Sequence, residues 1–292
     1  MKAKCIFQKD YENFITFRWM LTKWCNYNCS YCNQVKGEKT AEEKLIEDAV
    51  KINELVKGFE TPVKIRLLGG EISFYNLPEL LDKITADNFK SLVITTNFSN
   101  DFSVYEELKA YCNGRNISLL INCSYHDAVT IQEYVEKVEL IKDYALIQFT
   151  LTEKNQEEFL QLKTLCDEKQ VVWRTDPDKR RGIKRENYLA SDHFMKAFYY
   201  VDEDNNYNEI DSATLRRELE LPKLGYSCHA DRSVFIDDSG IMYDGTCINR
   251  QKIGELATIT PKRLKLVLQK KGAKDCDVKL CTTCMPVKIF TR

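Results

Sequence analysis

Three cysteines, Cys25, Cys29 and Cys32, stand in the spacing C-x3-C-x2-C within Trp24-Cys25-Asn26-Tyr27-Asn28-Cys29-Ser30-Tyr31-Cys32-Asn33. Thiolates are soft ligands, and three from one short loop can each hold one iron of a cubic four-iron cluster. The fourth iron then has no protein ligand and is open to another molecule. Zinc, or plain buried thiols, is the competing reading. Zinc sites usually pair two short hooks and close with a fourth ligand, whereas this loop offers three cysteines and no nearby histidine.

A second cysteine set lies near the other end of the sequence. Ser233 to Asp244 reads as a hairpin turning at Asp238-Ser239-Gly240, with Cys228 before it and Cys247 after it. A hairpin sets its flanks side by side, so these two thiols can meet, and Cys281 and Cys284 add a C-x2-C hook. Four thiolates suit a second four-iron cluster or a zinc ion. Cys276 is a fifth candidate for four places. Cys112 and Cys166, on apolar helix faces, and Cys5 read as plain buried thiols.

The chain has 292 residues, 12 of them cysteine, and a formal net charge of −1. That length can bury a sizeable core, as one large domain or a large and a small one. Near-neutral charge gives no global basic surface for nucleic acid or membranes. No apolar run approaches the ~18 residues of a membrane span, and the start lacks a signal core. The expectation is a cytoplasmic protein whose cysteines serve metal in a reducing compartment.

The elements that must position the first hook alternate. A buried strand at 14–21 leads straight into the cysteine loop. A helix over 42–59 follows, with Ile46, Ala49, Val50, Leu55, Val56 and Phe59 on its apolar face. A strand at 63–68 then runs into Gly69-Gly70-Glu71. Strands are read at 91–97, 117–126, 145–151 and 171–174, and helices at 101–112, 131–141 and 156–169. Asp176-Pro177 is read as breaking the last strand. A parallel α/β sheet follows, with its chemistry at the strands' C-terminal ends. From 176 to 225 the alternation stops, Lys179 to Arg185 is a dense basic run, and Phe194, Phe198, Tyr199 and Tyr200 read as helix core.

The cysteine spacing, with an aromatic, Tyr31, just before the last cysteine, resembles the signature of the radical S-adenosylmethionine superfamily. Gly69-Gly70-Glu71 after the second strand resembles that family's contact to the methionine amino group. The resemblance implies an open partial (β/α)6 barrel, a four-iron cluster on Cys25, Cys29 and Cys32, and S-adenosylmethionine chelated to the open iron. Reductive cleavage would yield a 5′-deoxyadenosyl radical that abstracts hydrogen from a substrate. Thr96 and Asn97 resemble the family's Thr-Asn pair at the cofactor, and Ser124 its serine near the ribose or carboxylate. Asn155 stands in a Thr-x-x-Asn like that of relatives with auxiliary clusters, and either touches the cofactor or caps the next helix. Arg174 either reaches the cofactor carboxylate or makes a surface ion pair.

Many relatives carry Ser-x-Asp where this chain has Ser124-Tyr125-His126. That departure makes His126 a catalytic candidate, orienting substrate or carrying a proton, or else a structural hydrogen-bonding group. Cys123, beside Ser124, is a second candidate that faces either the barrel lumen or the helices. The C-terminal order of cysteine, hairpin, cysteine and C-x2-C resembles the twitch form of the SPASM extension. It implies a second four-iron cluster on Cys228, Cys247, Cys281 and Cys284. The expected organisation is a core over 1–176, a bridge over 177–226 and a small α+β cluster domain over 227–292.

The implied activity is two-electron oxidation, or a related change, of a small polar molecule such as a sugar, cyclitol or nucleotide-linked intermediate. The alternatives are a maturase acting on a peptide and a cluster- or zinc-binding module without catalysis. Peptide-modifying relatives often carry an extra N-terminal recognition domain, for which a strand starting near 14 leaves no room. An electron donor such as flavodoxin or ferredoxin is the expected protein partner.

Overall fold

The computed structural model describes residues 5–7, 14–32, 34–177, 197–201, 207–211, 226–228, 232–245, 250–271, 274–275 and 287–289. The first strands are β1 (Cys5–Phe7) and β2 (Ile15–Thr22), followed by α1 (Glu42–Lys57) and β3 (Val63–Gly69). Next come α2 (Leu77–Leu81), β4 (Phe89–Thr96), α3 (Phe102–Gly114) and β5 (Ser118–Ser124). The alternation ends with α4 (Ile131–Glu139), β6 (Ala145–Leu151), α5 (Gln156–Lys169) and β7 (Trp173–Pro177).

Beyond it lie β8 (Ala197–Val201), β9 (Tyr207–Asp211), β10 (Tyr226–Cys228), β11 (Ser233–Ile236), β12 (Ile241–Asp244) and β13 (Lys252–Glu255). The last elements are α6 (Pro261–Lys271), β14 (Lys274–Asp275) and β15 (Val287–Ile289). Strands β2 to β7 pair in chain order, all parallel. This is the partial (β/α)6 barrel expected.

Period-two burial explains the layering. On the outer side Phe17, Trp19, Ile65, Leu67, Ile94, Ile121 and Ile147 are fully buried under the helices, while alternate positions face inward. Caps fix where the helices begin. Thr130 and Glu133 form a reciprocal capping box at α4, and Asn76 accepts from the Glu79 amide at α2. Val50, expected on the apolar face of α1, is 42% exposed; Leu45 and Ile52 are buried there instead.

The hairpin does not stand apart. Strand β11 pairs in parallel with β2, Val234 opposite Phe17 and Ile236 opposite Trp19, so β11, β12 and β13 extend the barrel sheet to nine strands. Val234, Ile236, Met242 and Leu264 share its core. Three more expectations need correction. Asp176 and Pro177 lie inside β7, where Pro177 occupies a sheet edge that needs no outward N–H donor. Residues 171–172 precede that strand. Residues 197–201 are a strand paired with β1 and β9, not a helix.

Candidate functional site

The cysteine loop is rooted by backbone contact. The Gly70 amide donates to the Thr22 carbonyl at 2.9 Å, and the Glu71 amide to the Trp24 carbonyl at 2.8 Å. A Cβ on Gly70 would lie 1.9 Å from the Trp24 oxygen, and one on Gly69 2.6 Å from the Thr22 oxygen. Only glycine lets the two chains approach this closely. The Thr22 hydroxyl accepts from the Trp24 amide at 3.0 Å, and the Trp24 ring packs edge-on to Phe74 at 5.4 Å. Farther along, Asn97 donates to the Asn26 side chain at 2.8 Å, and Asn26 donates to the Ser99 hydroxyl at 3.0 Å.

Glu71 is placed differently from the expectation. Its carboxylate is fully buried and accepts from the Ser73 amide at 2.8 Å, the Thr96 hydroxyl at 2.7 Å and the Asn97 amide at 2.6 Å. A buried carboxylate is tolerated when its oxygens are hydrogen-bonded in this way. Glu71 thereby ties the end of β3 to the end of β4, behind the cavity rather than in it. Phe98 takes the left-handed turn that follows, with φ of 59°, while the Asn97 side chain accepts from the Ser99 amide.

A cavity of about 210 Å³ opens where these ends meet. Cys25, Cys29 and Cys32 line it, together with Tyr31 and Tyr27 from the same loop. Gly69, Gly70, Thr95, Thr96 and Asn97 form one wall, and Ser124, His126, Gln148 and Thr150 another. His126 is the hub of the loop's far side. Its Nδ1 lies 2.8 Å from the Tyr31 hydroxyl and 2.9 Å from the Cys29 sulfur. Its ring stacks on Tyr31 and meets Tyr27 edge-on. Tyr31 also donates to the Tyr125 carbonyl at 3.0 Å.

Burial holds the His126 imidazole neutral, lowering its pKa to about 4. Burial, helped by the neighbouring Cys25 and Cys32, pushes the Cys29 thiol up to about 11. Crowded sulfurs of this kind ionise readily only when a metal centre shares their charge. Among the described residues no three His, Cys, Asp or Glu side chains converge to hold a single ion. Thiolates that each serve a different iron need only surround one cavity, so the donor set fits a multi-iron cluster.

Other expectations move. Cys123 is fully buried on the helix-facing side of β5, packed in the core, and does not line this cavity. Asn155 neither lines this cavity nor caps α5 with its side chain. It accepts from the Thr152 amide at 2.7 Å and donates to the Thr150 carbonyl at 2.9 Å, bordering a neighbouring cavity of about 300 Å³. Arg174 stands one step back, hydrogen-bonded to Gln148, which does line the site. Cys228 lies on β10, paired with β14 and β15, while Cys247, Cys276, Cys281 and Cys284 lie outside the described residues.

Thr95, Gln148 and Thr150 were missed. Their signal was present: polar residues at alternate positions of otherwise apolar parallel strands face a lumen rather than helices.

Residues 19–152 match the profile of the family described as the Radical SAM superfamily. No curated protein sequence matches the chain. Among solved structures, anSMEcpe with bound AdoMet is similar, with a TM-score of 0.57 at 15% identity over 86% of this chain and 80% of that one. Streptococcus suis SuiB bound to S-adenosylmethionine has a TM-score of 0.53 at 16% identity, covering 87% and 67%. SuiB bound to the precursor peptide SuiA has a TM-score of 0.55 at 14% identity, covering 87% and 65%. At these identities the likeness is one of fold.

Proposed function

We propose that this chain, which matches the Radical SAM superfamily over residues 19–152, is a radical SAM enzyme that oxidises a small polar molecule with the help of a second cluster. The observation that carries the reading is the convergence of Cys25, Cys29, Cys32, Gly69, Gly70, Asn97 and Ser124 on one cavity at the ends of parallel strands. Cys25, Cys29 and Cys32 would hold the first four-iron cluster. When bound there, cluster and S-adenosylmethionine supply a 5′-deoxyadenosyl radical that takes a hydrogen atom from substrate.

The chain's own residues orient and enclose. Backbone groups of Gly69 and Gly70 and the side chains of Thr95, Asn97 and Ser124, which line the cavity, would hold S-adenosylmethionine. Glu71 keeps this wall in shape through Thr96 and Asn97. His126, neutral and held by Tyr31, fixes the loop around Cys29. Cys228, Cys247, Cys281 and Cys284 would hold a second four-iron cluster in a C-terminal region from about 227, whose hairpin pairs with the barrel sheet. With four protein ligands such a cluster would have no open iron and would supply electron-transfer chemistry rather than a substrate-binding position. A flavodoxin or ferredoxin serves as donor. The second reading is a peptide-modifying enzyme; the likeness to SuiB bound to precursor peptide SuiA favours it.

Iron and acid-labile sulfide after anaerobic reconstitution test the proposal, with 5′-deoxyadenosine formation measured in parallel. About eight irons per chain, falling to about four in the Cys25→Ala, Cys29→Ala, Cys32→Ala variant, is the expected result. About four falling to none, with zinc present, removes the second cluster. An iron-free native protein that makes no 5′-deoxyadenosine overturns the whole reading.

A further inference from the structure

One side chain from outside the cysteine loop reaches a cysteine sulfur at close range. His126, just past the end of β5, places Nδ1 2.9 Å from the Cys29 sulfur, although 97 positions separate the two in sequence. By comparison, the Cys25 sulfur accepts from the Tyr27 amide at 3.4 Å. A nitrogen and a sulfur this close need a hydrogen between them.

The neighbours decide which atom carries it. A tyrosine hydroxyl has a single hydrogen, and Tyr31 donates its own to the Tyr125 carbonyl at 3.0 Å. The Tyr31 oxygen, 2.8 Å from Nδ1, then faces the ring as an acceptor. Cys29 is likewise only an acceptor once it is a thiolate. A bare Nδ1 would set its lone pair against both, so Nδ1 bears the proton and shares it between the Tyr31 oxygen and the Cys29 sulfur. That holds in either charge state of the ring.

The imidazole is also held where it stands. The Tyr31 ring lies nearly parallel to it, 6° off at 6.0 Å, and the Tyr27 ring meets it edge-on at 5.4 Å. One residue earlier, the Tyr125 amide donates to the Gln148 carbonyl at 3.0 Å and ties the backbone to β6. A donor fixed in this way acts on the ligand sulfur without first having to move.

We infer that His126 donates its Nδ1–H to the Cys29 thiolate in the cluster-loaded enzyme and thereby raises the reduction potential of the first cluster. This rests on the radical SAM reading and adds to it the residue that tunes electron entry. Reduction adds a negative charge that is partly borne by the sulfurs, and an N–H aimed at one of them favours the more negative state. His126 acts through Cys29 and is a positioning residue. A histidine that only packed the loop would alter iron loading and leave the potential alone.

The test is a redox titration of the reconstituted full chain, followed by the paramagnetic resonance signal that the Cys25→Ala, Cys29→Ala, Cys32→Ala variant lacks. Iron content and thermal midpoint are measured on the same samples. His126→Phe keeps a ring against Tyr31 and loses the donor. It should cut the equilibrium constant for reduction about tenfold, a fall of ~59 mV for one electron. His126→Asn, which can put an amide N–H near the place of Nδ1, should restore most of the loss. Tyr31→Phe removes the competing acceptor and leaves the N–H wholly to sulfur, so the potential should rise. Long-range proton–nitrogen correlation spectra, assigned by their change in His126→Asn, read the tautomer directly. A bare Nδ1 in the loaded chain overturns the inference, and so does a potential that falls in Tyr31→Phe or stays put in an iron-loaded His126→Phe. In each of these cases intact iron and 5′-deoxyadenosine formation leave the radical reading standing. An iron-free native chain sinks that reading and this inference with it.

Discussion

Gly70 shows how one missing Cβ sets the site. Its neighbour is a backbone oxygen, that of Trp24, and a backbone group cannot rotate away as a side chain would. Gly70→Ala must therefore push the loop that carries Cys25 off the end of β3. The expected cost is about 2 to 3 kcal/mol of stability, as for other overpacked positions, with iron loading lost as well. Denaturant unfolding and iron content check it; a variant that keeps native iron and stability would show that the loop is not rooted there. The motif's carboxylate teaches a related lesson. Gly-Gly-Glu was legible as a motif, yet the direction of Glu71 was not, because its three donors come from Ser73, Thr96 and Asn97 and two of these belong to another strand's end.

At the scale of elements, strands β2 to β6 and helices α1, α3, α4 and α5 were legible because apolar period and turn residues agreed, whereas the short β1 and the five-residue α2 carry too little period to be read. Strand β6 and helix α5 fall where alternation and helical spacing put them. What period alone could not supply was pairing. The hairpin itself was read correctly, but its partner β2 lies far away in sequence, and nothing in Ser233-Val234-Phe235-Ile236 names Phe17 and Trp19 as neighbours. Likewise Asp176-Pro177 signals a break by composition, while an edge strand tolerates it. The hairpin's turn rests on Asp237, whose carboxylate accepts from the Ser239 amide at 3.0 Å, the Ser239 hydroxyl at 2.6 Å and the Ile241 amide at 2.9 Å. Asp237→Ala should cost about 1 to 2 kcal/mol and speed amide exchange in β12 and β13. Unchanged exchange would mean that the turn is set by Gly240, with its φ of 85°, instead. The neighbouring Lys23–Asp238 pair, at 2.7 Å, is too exposed to contribute more than about 1 kcal/mol.

For the molecule as a whole, the hairpin converts β2 from an edge strand into an interior one. A chain shortened to residue 226 would expose the β2 edge and the core side of Phe17, Trp19 and Leu21 that Val234, Ile236 and Met242 share. Such a chain should aggregate, or associate through that edge, when followed by light scattering. A soluble monomer that still loads iron on Cys25, Cys29 and Cys32 would show that the partial barrel is self-sufficient.

The same pairing has a bearing on time. Strand β2 and the cysteine loop are synthesised long before β11, and the strand that closes their outer side does not exist until translation reaches Ile236. Contacts so distant in sequence form late and slowly. Until then the three-cysteine loop hangs from a strand with one side open. Iron that is meant to stay there has its proper moment only after Ile236 has been added and β11 has paired.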